Sequence, residues 1–186
     1  MGIKRFLIVF IIAAVTCASA EIKTHFIKDD NTGNVSVLGI RRIDGLVRIK
    51  EKLKGKFFFE NHTVLVEGEE AVITKVKDEV DTLLTITTMG DGNRIWNIVA
   101  VSPRIKTSKG ICIGKKLRDV VTAYGEPKEV LWGEGATFAT YEGLNITFSL
   151  EYVGPELSAS EVLWWENTGK YMDDIVVTSI GITGPH

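Results

Sequence analysis

Residues 110–127 read GICIGKKLRDVVTAYGEP, and this segment indicates the architecture more clearly than any other part of the chain. Four apolar residues recur at i, i+3, i+4 and i+7, the spacing of one stripe on a helix: Leu117, Val120, Val121 and Tyr124. Gly125 follows as a left-handed terminator, and Pro127 prevents the helix from continuing. A helix this short is marginal in isolation, so we predict that it packs on the face of a sheet.

The segments on both sides of this helix are typical of β-strands. Upstream, residues 82–88 and 95–101 flank an Asp-Gly pair, which favours a type I′ hairpin turn. β-branched and aromatic residues also predict strands at 22–28, 35–40, 57–59, 63–67, 71–77, 129–132, 137–141, 144–151 and 175–182, with a turn at 68–70. The expected fold class is α+β, mostly antiparallel β-sheet with one or two short helices packed on it.

A second helix is predicted over residues 42–54, where the hydrophobic period changes. The predicted stripe consists of Ile43, Leu46, Val47 and Lys50, with Leu53 nearby. Gly55 is placed to end this helix, although Gly45 weakens it by about 1 kcal/mol relative to alanine.

The composition limits the class of protein. The chain has 186 residues, 45% hydrophobic and 25% charged, with a formal net charge of −2. It is too apolar for a disordered segment, and its charge is too balanced for a generic nucleic-acid binder. We predict a single domain over residues 21–186, with no transmembrane span in the mature chain. With Cys112 alone remaining in that range, no internal disulfide framework is expected.

Residues 1–20 have the pattern of a secretory signal peptide. Lys4 and Arg5 precede an apolar run over residues 6–15, and Ala18-Ser19-Ala20 provides small residues at the cleavage position. We therefore expect a periplasmic or secreted protein cleaved near Ala20.

Cys17 allows a different processing route. It follows Ala14-Val15-Thr16, which is similar to a bacterial lipobox, although a lipobox has a smaller residue at the position of Thr16. On this alternative, the mature protein is anchored to the membrane by a lipid on Cys17.

Residues 95–182 resemble the RpoE-regulated lipoproteins of Gram-negative envelopes, an uncharacterised family. The resemblance rests on the glycine-flanked segment 110–114, the helix ending at Gly125, the strand around residues 146–148, Gly154-Pro155-Glu156 and the terminal strand. The pattern of glycines, helix and Tyr-Gly-x-Pro is also similar to β-lactamase-inhibitor-like and outer-membrane-assembly modules, in which a small helix lies on a sheet. The resemblance implies an envelope protein and supplies no catalytic residues.

No catalytic, cofactor or metal site is predicted from the residue pattern. No Gly-x-Ser-x-Gly elbow is present, and His25, His62 and His186 lack partners at metal-ligand spacing. Cys112 lies between two isoleucines, which favours a buried small hydrophobe in a strand over a reactive thiol.

Two groups of residues could form a recognition surface. The first is aromatic, and its candidate partner-binding residues are Trp164, Trp165, Trp132 and Tyr152. The segment 161–166 fits either a helix or an extended strand; if it is extended, Trp164 and Trp165 point to opposite faces and cannot both enter one core. The second group is basic and lies in or beside the predicted helix at 42–54, where it could face an anionic polymer or instead be a solvated helix face.

These observations predict an exported, non-catalytic envelope protein that binds another protein or an envelope component such as a cell-wall polymer. The alternatives are a hydrolase or thiol enzyme using Cys112, and a structural spacer without a dedicated ligand. No cofactor is expected, and the sequence leaves the oligomeric state open.

Overall fold

Short helices and two β-sheets make up this chain in a computed structural model, which describes residues 23–29, 35–90, 94–133, 136–141, 145–155 and 169–182. The strands are β1 (His25–Asp29), β2 (Val35–Val37), β3 (Phe58–Val66), β4 (Glu69–Lys77), β5 (Thr82–Met89), β6 (Arg94–Ala100), β7 (Ile105–Thr107), β8 (Glu129–Gly133), β9 (Ala136–Thr140), β10 (Ile146–Tyr152) and β11 (Ile175–Ile182). The helices are α1 (Leu46–Leu53) and α2 (Leu117–Tyr124), and Arg42–Asp44 forms a 3₁₀ turn. Antiparallel sheet therefore dominates, as the sequence predicts.

The larger sheet is antiparallel throughout and has the strand order β3-β4-β5-β6-β11-β10-β9-β8. β11 comes last along the chain but lies in the middle of the sheet. On one side Ile182 pairs with Ile98 of β6, and on the other it pairs with Ile146 of β10. β11 thereby joins two groups of consecutive strands, β3–β6 and β8–β10.

The smaller sheet has the order β2-β1-β7 and combines both kinds of pairing. β1 and β2 form an antiparallel pair, with Ile27 opposite Val37. β7 runs parallel to β1, with His25 opposite Ile105. The sequence analysis did not predict β7, because three residues are too few to show a hydrophobic period.

The hairpin of β5 and β6 is confirmed, although its Asp-Gly turn lies outside the described residues. The turn predicted at residues 68–70 is shifted. Glu67 and Gly68 have φ of 53° and 85°, and Glu69 already belongs to β4. Two consecutive positive φ values define a two-residue type I′ turn, so the nine-residue strands β3 and β4 pair along their full length.

The prediction of one helix over residues 42–54 is wrong at its start. Gly45 separates the 3₁₀ turn from α1 and has φ 73° and ψ 147°, a conformation that other residues rarely adopt. The break also changes which side chains are buried. Leu46, Ile49 and Leu53 enter the core, whereas Ile43 and Val47 of the predicted stripe are exposed.

We expect Gly45→Ala to lower the free energy of unfolding by about 1–2 kcal/mol, because a Cβ disfavours this backbone conformation. Gly169→Ala is the matched control, since Gly169 has no positive φ and a Cβ there meets nothing within 4 Å. Urea unfolding of both variants tests this. Equal stability of the two variants would show that Gly45 carries no conformational strain.

Helix α2 forms as predicted and ends at Gly125, which has φ 83°. Leu117 and Val120 are buried, and Val121 and Tyr124 pack against the core. One cluster of buried side chains includes residues from both sheets and both helices, with Ile27, Ile105, Ile49, Leu117 and Phe148 among its members. The helices thus cover the apolar face of the sheets.

Candidate binding cleft

A cleft of about 660 Å³ lies where the small sheet meets the turn between β4 and β5. Four parts of the chain line it: β1, the start of β3 with the residues before it, the 78–81 turn, and the segment before β7. The residues that define its chemistry are His25, Phe57, Phe58, Asp78, Val80 and Arg104. A second hollow of about 520 Å³ shares Phe58, Asp78 and Val80 with the first. We call these two adjoining hollows the inter-sheet cleft.

The floor of the cleft is an ion pair between Arg104 and Asp78. The guanidinium approaches both carboxylate oxygens, with Nη2–Oδ2 at 2.7 Å and Nη1–Oδ1 at 3.0 Å. The backbone N–H groups of Val80 and Asp81 each donate to Asp78 Oδ1 at 2.9 Å. The hydrogen bond from Arg104 is the main cause that lowers the pKa of Asp78 from 3.8 to about 2, so the carboxylate is ionised at neutral pH.

Neighbouring groups hold Arg104 in this orientation. Its Nε and Nη2 donate to the carbonyl oxygen of Lys23 at 3.3 and 3.2 Å. Its backbone N–H donates to Ser102 Oγ at 3.3 Å, and Ser102 Oγ donates to Asp81 Oδ2 at 2.8 Å. The floor therefore connects the small sheet to the turn of the large sheet through charge-assisted hydrogen bonds.

His25 forms one wall of the cleft. Its ring meets the ring of Phe57 edge to face, with 6.0 Å between the centroids, and its backbone N–H donates to the Arg104 carbonyl at 2.9 Å. Burial lowers the pKa of His25, and the nearby Arg104 charge lowers it further. The imidazole is therefore neutral at neutral pH and offers one donor and one acceptor.

The rim of the cleft is apolar and open to solvent. Phe58 is 61% exposed and Val80 is 63% exposed, and both line the two hollows. Lys23, Lys56 and Glu79 add charges around them. An apolar rim above a floor whose charges are already paired suits binding of an apolar side chain that carries a polar neighbour.

The polar groups of the cleft are engaged with one another. The Ser102 hydroxyl donates to a carboxylate, and the Asp78 carboxylate is paired with a guanidinium. In the part of the chain that the structure describes, no group of three or more His, Cys, Asp or Glu side chains could hold a metal ion.

The predicted aromatic residues that the structure describes, Trp132 and Tyr152, lie on strands β8 and β10. Trp164 and Trp165 lie outside the described residues, so their role as anchors stays a prediction. Trp132 lies in β8, at the edge of the large sheet. Tyr152 ends β10, where its hydroxyl donates to the Pro155 carbonyl at 2.9 Å and its ring meets Tyr171 edge to face. The described members of the group thus lie on separate strands, with β9 between them.

Cys112 is a free, half-buried cysteine, and the prediction that it lies in a strand is wrong. Its carbonyl accepts a hydrogen bond from the Lys115 N–H at 3.1 Å, which closes a turn before α2. The glycines at positions 110 and 114 both have positive φ, and this backbone carries the chain through turns on either side of the cysteine.

The basic residues near α1 do not form one uniform patch. Arg42 Nε donates to the Ile95 carbonyl at 3.3 Å, Lys50 Nζ donates to Asn61 Oδ1 at 3.3 Å, and Lys52 Nζ donates to the Gly39 carbonyl. These side chains bind different parts of the protein itself, which favours the interpretation of a solvated helix face with local contacts.

The sequence alone does not predict the inter-sheet cleft. One available signal was the run Phe57-Phe58-Phe59, because consecutive residues of a strand point to opposite faces and one large ring must then face outward. The same argument was applied to Trp164 and Trp165. Asp78 and Arg104 carry no such local signal, since they are 26 positions apart and meet only in the folded chain.

Fold and site together define a sheet-dominated α+β protein with an open cleft where its two sheets meet. A similar fold occurs in the crystal structure of the uncharacterized protein yfeY from Escherichia coli. The two chains are 16% identical with a TM-score of 0.57, and the match covers 77% of this chain and 92% of that chain. No protein-family model matches this chain, and no curated protein matches it in sequence. At this level of identity the likeness shows the fold alone.

None of the helices in the described part of the chain is long and apolar enough to cross a membrane.

Proposed function

We propose that this protein is an exported, non-catalytic component of the bacterial envelope whose inter-sheet cleft binds another protein or an envelope component. The observation that carries the proposal is the exposure of Phe58 and Val80 above the paired Arg104–Asp78 floor. Large apolar side chains kept in water beside a preformed polar floor are typical of recognition sites.

The proposed location rests on the leader-like residues 1–20, with cleavage near Ala20 or, as the alternative, lipid attachment at Cys17. The resemblance of residues 95–182 to RpoE-regulated lipoproteins supports the same location. The fold likeness to yfeY fits an uncharacterised protein of a Gram-negative bacterium.

The chemistry of the cleft favours a polypeptide segment as the bound group. Phe58 and Val80 offer apolar contact, and the neutral His25 ring offers one donor and one acceptor within the same space. Lys56 and Glu79 bring opposite charges to the edge, which suits a partner with mixed charge better than a uniformly anionic polymer.

Site-specific photocrosslinking in intact cells tests the proposal. We expect a photoreactive phenylalanine analogue at position 58 or 80 to form adducts with a partner, because both side chains line the cleft. The matched control is the analogue at Phe26, which is also exposed but does not line the cleft. Mass spectrometry of the adducts separates a protein partner from a cell-wall component.

A second variant tests whether adduct formation depends on the apolar rim of the cleft. Phe58→Ala is expected to reduce adduct formation from position 80 about tenfold, the loss typical of an aromatic contact at a binding site. Phe26→Ala should leave these adducts unchanged. Adducts that form equally from positions 26 and 58, or no adducts from 58 and 80, would contradict binding at the cleft.

A further inference from the structure

β3 lies at one edge of the large sheet, where β4 is its neighbour on one side only. With nine residues it is long for an edge strand. Among the described residues, no backbone hydrogen bond reaches the other side of β3. Such an edge is a template for pairing with another strand.

The turn geometry shows which residues present their backbone groups to this open side. A two-residue hairpin is closed by a hydrogen-bonded pair, here Val66 and Glu69, and bonded pairs alternate along an antiparallel ladder. Val66 and every second residue before it therefore bond to β4. The N–H and C=O groups that point away from the sheet belong to Phe59, Asn61, Thr63 and Leu65.

The side chains of this edge are apolar at both ends and polar in the middle. On one face of the strand Phe58 stands at the start and is 61% exposed, and the half-buried Val64 stands near the end, whereas Leu65, 77% exposed, lies on the other face. Between Phe58 and Val64, Glu60 Oε1 lies 2.7 Å from His62 Nε2, and Lys77 Nζ donates to Glu60 Oε2 at 3.1 Å. This arrangement is complementary to a copy of itself that runs in the opposite direction.

We propose that two copies of this chain pair through β3 as antiparallel strands, with the two-fold axis at Asn61. In this register Glu60 of one copy lies opposite His62 of the other, and Phe58 lies opposite Val64. These are positions without backbone hydrogen bonds, where facing side chains are closest. Phe59 and Asn61 pair with Thr63 and Asn61 of the second copy, and their outward backbone groups are satisfied.

The β3 strand of a second copy is a better partner for this edge than β8, the strand at the opposite edge of the large sheet. β8 has five residues, so it could satisfy only part of the nine-residue β3. Pairing of β3 with β8 of another copy joins two different surfaces, so it would continue into an open chain of molecules. Pairing of β3 with β3 joins the same surface of both copies and is complete in a dimer. The inference does not rest on the proposed binding function, although both use Phe58: an adduct of position 58 with a second copy of this chain would count for pairing through β3 and not for binding at the cleft.

The first test is the mass of the purified protein by size-exclusion chromatography with light scattering. We expect a dimer for the wild type and a monomer for Thr63→Pro, because proline removes an outward N–H while the ladder to β4 keeps its bonds. Thr63→Val retains that N–H and is the matched control, expected to stay dimeric. Circular dichroism of each variant shows that the fold is retained.

The second test fixes the register. On a background of Cys17→Ala and Cys112→Ala, Asn61→Cys places two thiols opposite each other with Cα atoms about 5.5 Å apart. In the same register two Leu65→Cys thiols are separated by about 26 Å of strand. A short bismaleimide should therefore link the Asn61→Cys copies into dimers and leave the Leu65→Cys copies unlinked.

The results distinguish the proposal from other kinds of association. A monomeric wild type, or a Thr63→Pro variant as dimeric as the wild type, would overturn pairing through β3. Equal crosslinking from positions 61 and 65 would overturn the proposed register.

Discussion

Phe148→Ala is expected to lower the free energy of unfolding by about 3–5 kcal/mol, the usual cost of removing a fully buried phenylalanine. Phe148 has no exposed surface and lies at the centre of β10. Its ring centroid is 5.6 Å from that of Tyr124 and 5.9 Å from that of Tyr141. Removing the ring leaves a cavity between α2 and the sheet, and the two tyrosines lose their common neighbour.

Phe138 offers a matched control on the adjacent strand. It lies in β9 opposite Ser149 of β10 and is 36% exposed, so Phe138→Ala should cost only about 1–2 kcal/mol. Urea unfolding followed by circular dichroism measures both variants. Similar losses at the two positions would mean that the core is not organised around Phe148.

Asp78→Ala is expected to lower the free energy of unfolding by about 2–3 kcal/mol, because hydrogen bonds to a charged group contribute strongly. The substitution removes the acceptor of two backbone N–H groups and of the Arg104 guanidinium. It also leaves Arg104, whose side chain is mostly buried, without its carboxylate. The connection between the small sheet and the 78–81 turn is thereby weakened.

Glu79→Ala is the control for this substitution. Glu79 is the next residue along the same turn and is exposed, so its replacement should change stability by less than about 0.5 kcal/mol. The same unfolding measurement applies. If Asp78→Ala were as stable as Glu79→Ala, the floor of the cleft would not contribute to folding.

The ion pair also predicts the pH dependence of stability. The pKa of Asp78 is about 2 in the folded protein and near 3.8 when the chain is unfolded, so the unfolded state takes up the proton first as pH falls. The stabilisation is complete above about pH 5 and is lost progressively as pH falls through 4 toward 2. Allowing for solvent screening at an open cleft, about 1–2 kcal/mol should be lost in this window. Asp78→Asn should remove that part of the pH dependence, and an unchanged acid profile would contradict it.

The parts of the fold that the sequence predicts well are those with a strong local signal. Helix α2 has a complete apolar stripe, with a glycine stop and a proline after it, and the structure forms it between Leu117 and Tyr124. The β5–β6 hairpin has alternating residues around an Asp-Gly pair. In both cases local preference and long-range packing favour the same structure.

The parts that the sequence does not predict depend on contacts between distant segments. Gly45 interrupts an otherwise helical period, because its positive φ turns the chain before α1 begins. β7 is three residues long and exists by pairing with β1. The inter-sheet cleft combines His25, Asp78 and Arg104, whose separate positions in the sequence show no motif. Such a site is visible only after the strands are assembled.

The central position of β11 bears on how the protein reaches its folded state. Ile98 and its partner Ile182 are about 80 residues apart along the chain, and pairing at such a separation slows folding. Until β11 is synthesised, β6 and β10 each lack a neighbour, and the two groups of strands have no shared backbone ladder. We therefore expect the two groups of strands to join in one sheet only once β11 has been synthesised. A sheet that stays divided until then would suit a chain that we propose is threaded, unfolded, through a secretion channel.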